Sequence, residues 1–235
     1  AVLICSPNNP TGTVYTDAEI EMLAGICRER GLFLVADEVY REFTYDGKRS
    51  RSALTLEGLE DRVVVVDSLS KRYSLCGARI GNIVCRNRAF MDAILRFGQA
   101  RLCPPTVDQF ACAGLTAVPP SYMKAVLGEY QLRRDTVFAA LSTMPDVHVR
   151  RPEGAFYVCP ALPIEDADDF ALFLLRDFSI ANETVMLTPL GGFYATPGVG
   201  RNEVRLAYVL EVPTLQRSMR ILREGLAAYR ARTTA

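Results

Sequence analysis

The run Val63 to Gly81, VVVVDSLSKRYSLCGARIG, decides the fold. Four consecutive valines are too apolar for a strand with one wet face. Val63 to Val66 therefore reads as a strand buried on both faces, as in parallel sheets covered by helices. The run ends at Asp67 and passes into a serine-rich turn that presents Lys71, with Arg79 further on. Whatever follows such a strand emerges at the rim of the sheet, where open α/β sheets bind ligands.

Upstream, Ala1 to Cys5 reads as a short buried strand, ended by the turn chemistry of Ser6-Pro7-Asn8-Asn9-Pro10-Thr11-Gly12. Thr16 and Glu19 form a capping box ahead of Ile20, Leu23, Ala24 and Cys27, one apolar stripe at helical spacing that Gly31 stops. Leu32 to Ala36 is the next strand. Strand, helix and strand with short connections make a right-handed unit with parallel strands, so both end on one rim. A polar excursion from Asp46 to Ser52 and a short helical piece near Leu54 to Leu59 then lead to Val63. Only about a dozen residues separate that strand from Ile80 to Cys85, too few for a helical crossover, so the fourth strand runs antiparallel. Asn9, Asp37, Lys71 and Arg79 thereby share the rim.

Downstream, Ala89 to Phe97 and Thr106 to Val118 carry helical spacing on either side of Pro104-Pro105. Pro119-Pro120 punctuates again, and Ser121 is placed to cap a long helix toward Met144. A domain boundary here gives residues 1–120 to a larger domain and 121–235 to a smaller α+β one. The second part reads as strands at Val147 to Val149, Ala155 to Cys159, Val185 to Thr188 and Glu203 to Val209. Helices fall at Ala167 to Phe178, opened by Asp166, and at Thr214 to Tyr229.

Composition narrows the function. The 235 residues carry 27 basic and 27 acidic side chains, a balance that excludes nucleic acid or an anionic membrane as a bulk electrostatic partner. No apolar run is long enough to cross a bilayer. The seven cysteines, Cys5, Cys27, Cys76, Cys85, Cys103, Cys112 and Cys159, are scattered and odd in number. They read as buried free thiols of a reducing cytoplasm, with no metal-ligand spacing. His148, the one histidine, alternates with Val147 and Val149 as an ordinary strand residue.

Each rim residue alone has an ordinary explanation as turn, solvated charge or surface ion pair. Together they suit one ligand. A rim lysine forms a Schiff base with an aldehyde if a nearby cation such as Arg79 lowers its pKa. An arginine fork with the Ser68 and Ser70 hydroxyls suits a phosphate dianion. A separate carboxylate, Asp37, keeps a pyridine nitrogen protonated. Those demands describe pyridoxal 5′-phosphate.

The ordered set SPNNPTG (6–12), ADEVY (36–40), SLSK (68–71), GARIG (77–81), PEGAFY (152–157) and NEVRLAYV (202–209) resembles the class I/II aminotransferases of PLP fold type I. The likeness covers essentially the whole chain. It implies a partial large-domain sheet, mixed but mostly parallel, with flanking helices and a smaller C-terminal α+β domain. It implies that Lys71 holds the cofactor and shuttles the proton, and that Asp37 pairs with the pyridinium nitrogen. Asn9 and Tyr40 would bond the phenolic oxygen, Ser68, Ser70 and Arg79 the phosphate, and Arg205 the substrate α-carboxylate. The Asn9-Pro10 bond is expected to be cis. Arg101 sits where members vary in substrate choice and could meet a distal carboxylate, although a solvated or interfacial arginine is the expected case. Members carry a long segment ahead of the Asn-Pro-Thr-Gly turn, so this chain is expected to be the C-terminal portion of a longer, homodimeric protein.

The implied activity is transfer of an amino group from an L-amino acid to a 2-oxo acid. The same anchors would serve a carbon-sulfur β-lyase, or the PLP-sensing domain of an aminotransferase-like transcription regulator, although nothing basic in this chain supports DNA binding.

Overall fold

A computed structural model describes residues 1–233, which form two compact units. The first comprises 1–9, 13–127 and 153–155; the second comprises 10–12, 128–152 and 156 onward.

In the first unit, strands β1 (Val2–Cys5), β2 (Leu34–Asp37), β3 (Val63–Ser68) and β4 (Gly81–Val84) lie in the order β1-β2-β3-β4. The first three are parallel and β4 runs against β3. Cys5, Asp37, Val66 and Ile83 stand in one row across the sheet, so β1 to β3 end where β4 begins. Val63, Val64 and Val65 are all buried. Val63 and Val65 join Ile4, Ile20, Leu34 and Ala36 in a core closed by helix α1 (Asp17–Arg30). Both halves of the Thr16–Glu19 capping box form, and Gly31 ends the helix.

Differences from the sequence reading have local causes. Strand β3 continues to Ser68, which pairs with Gly81. The piece at Leu54 to Leu59 shrinks to one 3-10 turn, Ala53–Thr55, which the Glu38 carboxylate anchors at its start through the Ala53 N–H and the Ser52 hydroxyl and which ends where Leu56 turns extended and Gly58 left-handed. Helix α2 (Leu69–Arg72) is a single turn after β3. Helices α3 (Arg88–Arg101) and α4 (Thr106–Ala113) follow, the latter tightening into a 3-10 turn at Gly114–Ala117. Helix α5 (Pro120–Ser142) begins on Pro120, whose missing N–H and fixed φ suit the first helical position, so Ser121 lies inside the helix and is not its cap.

In the second unit a small antiparallel sheet has the order β5-β7-β6, with β5 at Tyr157–Val158, β6 at Thr188–Pro189 and β7 at Val204–Ala207. Helices α6 (Ala167–Arg176) and α7 (Val212–Thr233) bury Phe170, Leu174, Leu222 and Leu226. The segment 147–149 contributes only a bridge from His148 to Ala161, which is itself bridged to Glu203.

Among the described residues no helix is long and apolar enough to cross a membrane. The thiols are less hidden than their apolar settings predict. Cys27 is buried in the core, but Cys76 lies in an exposed 3-10 turn and Cys103 in the exposed link after α3, and the other four are half-buried.

Candidate active site

The rim at the ends of β1 to β3 carries the candidate groups. Asp37 is the last residue of β2, and its Oδ1 accepts the Val39 N–H at 3.1 Å, which turns the chain immediately beyond the strand. Tyr40 lies in that turn, 3% exposed, its ring edge-on to Phe43 at 6.4 Å.

On the adjacent strand Ser68 serves both as the end of β3 and as the N-cap of α2. Its Oγ lies 3.0 Å from the Ile80 carbonyl, 2.7 Å from Ser70 Oγ and 3.1 Å from the Ser70 N–H. A hydroxyl has one proton, so with that proton on Ile80 O, Ser68 accepts from both groups of Ser70. The cap fixes a one-turn helix too short to persist alone, and Lys71 is its third residue, half-buried.

Arg79 takes the left-handed conformation, φ 55°, just before β4. Its Nη1 donates to the Cys76 carbonyl at 2.9 Å, and the exposed fork is otherwise open to a ligand. The two serines are thus brought together, whereas among the described residues the Arg79 guanidinium bonds neither. Arg79 and Arg101 both line a cleft of about 800 Å³ beside β4, with Asp67, Asn82 and Leu95, and Arg101 is exposed at the end of α3.

Asn9 is half-buried in the turn after β1, which the Asn8 N–H closes onto the Thr13 carbonyl at 2.8 Å. The cis bond is Ser6-Pro7, not Asn9-Pro10. The chain turns as it leaves β1, where Ser6 is held by its N–H on the Asp37 carbonyl and by its Oγ on the Tyr15 N–H, both at 3.2 Å. Beside it, burial pushes the Cys5 thiol above its ordinary pKa.

The sequence reading missed the charges flanking these groups. Glu38 is 3% exposed, and Arg41, Glu42, Asp67 and Arg72 join it in a chain of ion pairs. The available signal was the opposite charges that follow Asp37 in DEVYRE and stand on either side of Lys71 in DSLSKR.

In the second unit, Arg205 on β7 has its guanidinium 4.8 Å from the centre of the Tyr157 ring and 5.5 Å from that of Phe193. Two aromatic faces hold a cation in place without using its N–H donors. Nearby, the Tyr194 hydroxyl donates to Glu203, which with burial pushes its pKa up to about 12. Burial, then the Glu203 charge, pushes the Cys159 thiol to about 12 as well.

Residues 1–217 match the family model for aminotransferase class I and II. The chain belongs to that family. Class I and II aminotransferases depend on pyridoxal 5′-phosphate. A probable aspartate/prephenate aminotransferase of Aquifex aeolicus is 30% identical over 96% of this chain and 57% of its own length. An aspartate aminotransferase of Bacillus subtilis is 29% identical over 93% and 55% respectively. An aromatic aminotransferase from Pyrococcus horikoshii superposes with a TM-score of 0.84 at 27% identity, over 97% of this chain and 60% of that one. The fold is that of fold type I, and the chain spans a little over half the length of the curated relatives it matches.

Proposed function

We propose that the protein is a PLP-dependent aminotransferase that moves an amino group from an L-amino acid to a 2-oxo acid. The observation that carries this reading is the placement of Lys71 one capped turn beyond β3, beside the strand that ends in Asp37, within a chain matched by the family. The residue set fits the cofactor: one amine, one carboxylate on the neighbouring strand, an exposed arginine fork, and a pair of hydroxyls whose protons would turn from the Ile80 carbonyl and from Ser68 Oγ to the phosphate on binding.

Bound there, the cofactor supplies an aldehyde that captures an amino group and a ring that accepts electrons. Lys71 would provide the covalent attachment and, once displaced by the substrate amine, its amine would be the base that takes and returns the proton of the substrate α-carbon. Asp37 keeps the ring nitrogen protonated. Asn9 and Tyr40 donate to the phenolic oxygen, while Ser68, Ser70 and Arg79 hold the phosphate. Arg205 takes the substrate α-carboxylate, a role its bracketing by the Tyr157 and Phe193 rings supports because two aromatic faces fix where the guanidinium lies.

The working form is a cytoplasmic homodimer, with residues 1–120 as the C-terminal part of the large domain and 121–235 as the small domain. The change of compact unit between 127 and 128 supports that division. The test is an absorption spectrum of the PLP-loaded protein before and after borohydride. Wild type should show a visible band that reduction fixes covalently to Lys71, and Lys71→Ala should not. A fixed cofactor in Lys71→Ala would overturn the assignment.

A further inference from the structure

Five charged side chains of the first unit alternate in sign along one path. Glu38 Oε2 lies 3.2 Å from Arg41 Nη1, and Arg41 Nη2 lies 3.2 Å from Glu42 Oε1. The same Glu42 oxygen is 2.9 Å from Arg72 Nε, and Arg72 Nη2 is 2.7 Å from Asp67 Oδ2. The path is mostly out of water: Arg72 is 17% exposed and Asp67 10%. One end is anchored, because Glu38 Oε1 also accepts the Ser52 hydroxyl at 2.9 Å and the Ala53 N–H at 2.8 Å. The other end is anchored in β3 through Asp67.

These charges lie between groups that matter. Glu38 and Arg41 flank Val39 and Tyr40 in the turn just after Asp37, and Arg72 directly follows Lys71. The backbone bonds between β2 and β3 extend to the Glu38 N–H on the Val66 carbonyl at 2.9 Å, whereas residues 39–42 and 69–72 lie beyond them. Helix α2 is one turn, with the Ser68 cap at its start and Arg72 at its end. Arg72 joins α2 to the turn bearing Tyr40 through Glu42. Among the described residues Glu42 Oε2 is buried without a hydrogen-bond partner and Arg72 Nε meets Glu42 Oε1 as an ion pair rather than an aligned hydrogen bond, so the Glu42 side chain is held by its pairs with Arg41 and Arg72.

We propose that Arg72 is a positioning residue for the cofactor, bracing the Lys71 turn against the Asp37–Tyr40 turn through Glu42 and Asp67 so that the attachment point and the ring-nitrogen partner keep one spacing. Burial alone would lower the Arg72 pKa, but the Glu42 and Asp67 carboxylates outweigh it and hold the guanidinium above its ordinary value. A lysine in its place has one nitrogen and does not reproduce the separate Nε and Nη2 contacts.

This inference rests on the proposed PLP site, and its test separates the two. In the whole protein, PLP dissociation constants and the visible circular dichroism of bound cofactor are measured for wild type, Arg72→Gln, Arg72→Lys, Glu42→Gln and Arg72→Gln/Glu42→Gln. Thermal melting of each cofactor-free form is recorded alongside. Arg72→Gln should bind PLP roughly ten-fold more weakly with altered visible dichroism, Arg72→Lys should recover only part, and the double variant should lose less than the sum of the singles. If Arg72→Gln fails to fold, Arg72→Lys carries the same comparison. Wild-type affinity and dichroism in Arg72→Gln or, failing that, Arg72→Lys would overturn the proposal, even with a lowered melting temperature. Wild-type protein that holds no reducible cofactor would instead overturn the proposed function, and this inference with it.

Discussion

Gly81 lies so close to Asp67 across the β3–β4 pair that a Cβ on Gly81 would stand 2.9 Å from the Asp67 carbonyl oxygen. Backbone does not yield as a flexible side chain does, so a methyl here must spread the strands. Gly81→Ala should cost about 1–3 kcal/mol, read as a lowered urea midpoint. Because Arg79 precedes Gly81 by two residues, phosphate and PLP affinity should fall as well. An unchanged midpoint would show that β4 shifts freely.

Glu38 is a buried carboxylate with all its partners in place: Arg41, the Ser52 hydroxyl and the Ala53 N–H. Glu38→Ala leaves that buried N–H without an acceptor and should cost about 3 kcal/mol. Glu38→Gln keeps one carbonyl oxygen for Ala53 and should lose less than half of that. Equal losses in the two variants would mean that the charge on Arg41, rather than the N–H, sets the cost.

How much of this was legible follows from the range of each interaction. Val63 to Val66 announces a buried strand because apolar runs act through burial, and connection lengths then give the parallel and antiparallel senses. The Thr16–Glu19 box is local, so it reads directly from spacing. Ser68 was nominated as a phosphate ligand, but its double role as strand end and helix cap depends on where β4 begins. The charge strings DEVYRE and DSLSKR hint at ion pairs but do not fix the Glu42–Arg72–Asp67 partners, because long charged side chains choose them only after the strands are assembled. Alternation at Val147 to Val149 suggested a strand, yet Ala161 offers it a single bridge. The Arg79 guanidinium donates to the Cys76 carbonyl, a backbone contact that spacing along the chain does not announce.

The thiols should separate by alkylation. Cys159 has a pKa of about 12, so at pH 8 only about one molecule in ten thousand carries the reactive thiolate. Cys27, fully buried in the core and raised by that burial, should be equally inert. Cys76 and Cys103 are exposed and should react first with iodoacetamide, as peptide mass mapping over time would show. Early labelling of Cys159 would mean that the segment around β5 opens readily.

Asp166 should give stability a specific dependence on acid. It caps α6, its Oδ1 accepting the Asp168 and Asp169 N–H groups at 2.9 and 3.3 Å, while its Oδ2 takes Arg201 Nη2 at 3.0 Å. Arg201 first, then the backbone N–H groups, hold its pKa below the ordinary 3.8. A carboxyl whose pKa is lower folded than unfolded contributes its full stabilisation above the unfolded value, and loses it as the pH falls through the folded one. Asp166→Ala should therefore cost about 1 kcal/mol near neutrality, with Asp166→Asn costing less because its side-chain oxygen still caps the helix. Urea midpoints of wild type and Asp166→Ala should converge as the pH is taken progressively below 3.8. A gap that stays constant down that range would mean that the cap is worth the same protonated, and that the ion pair with Arg201, exposed as it is, adds nothing.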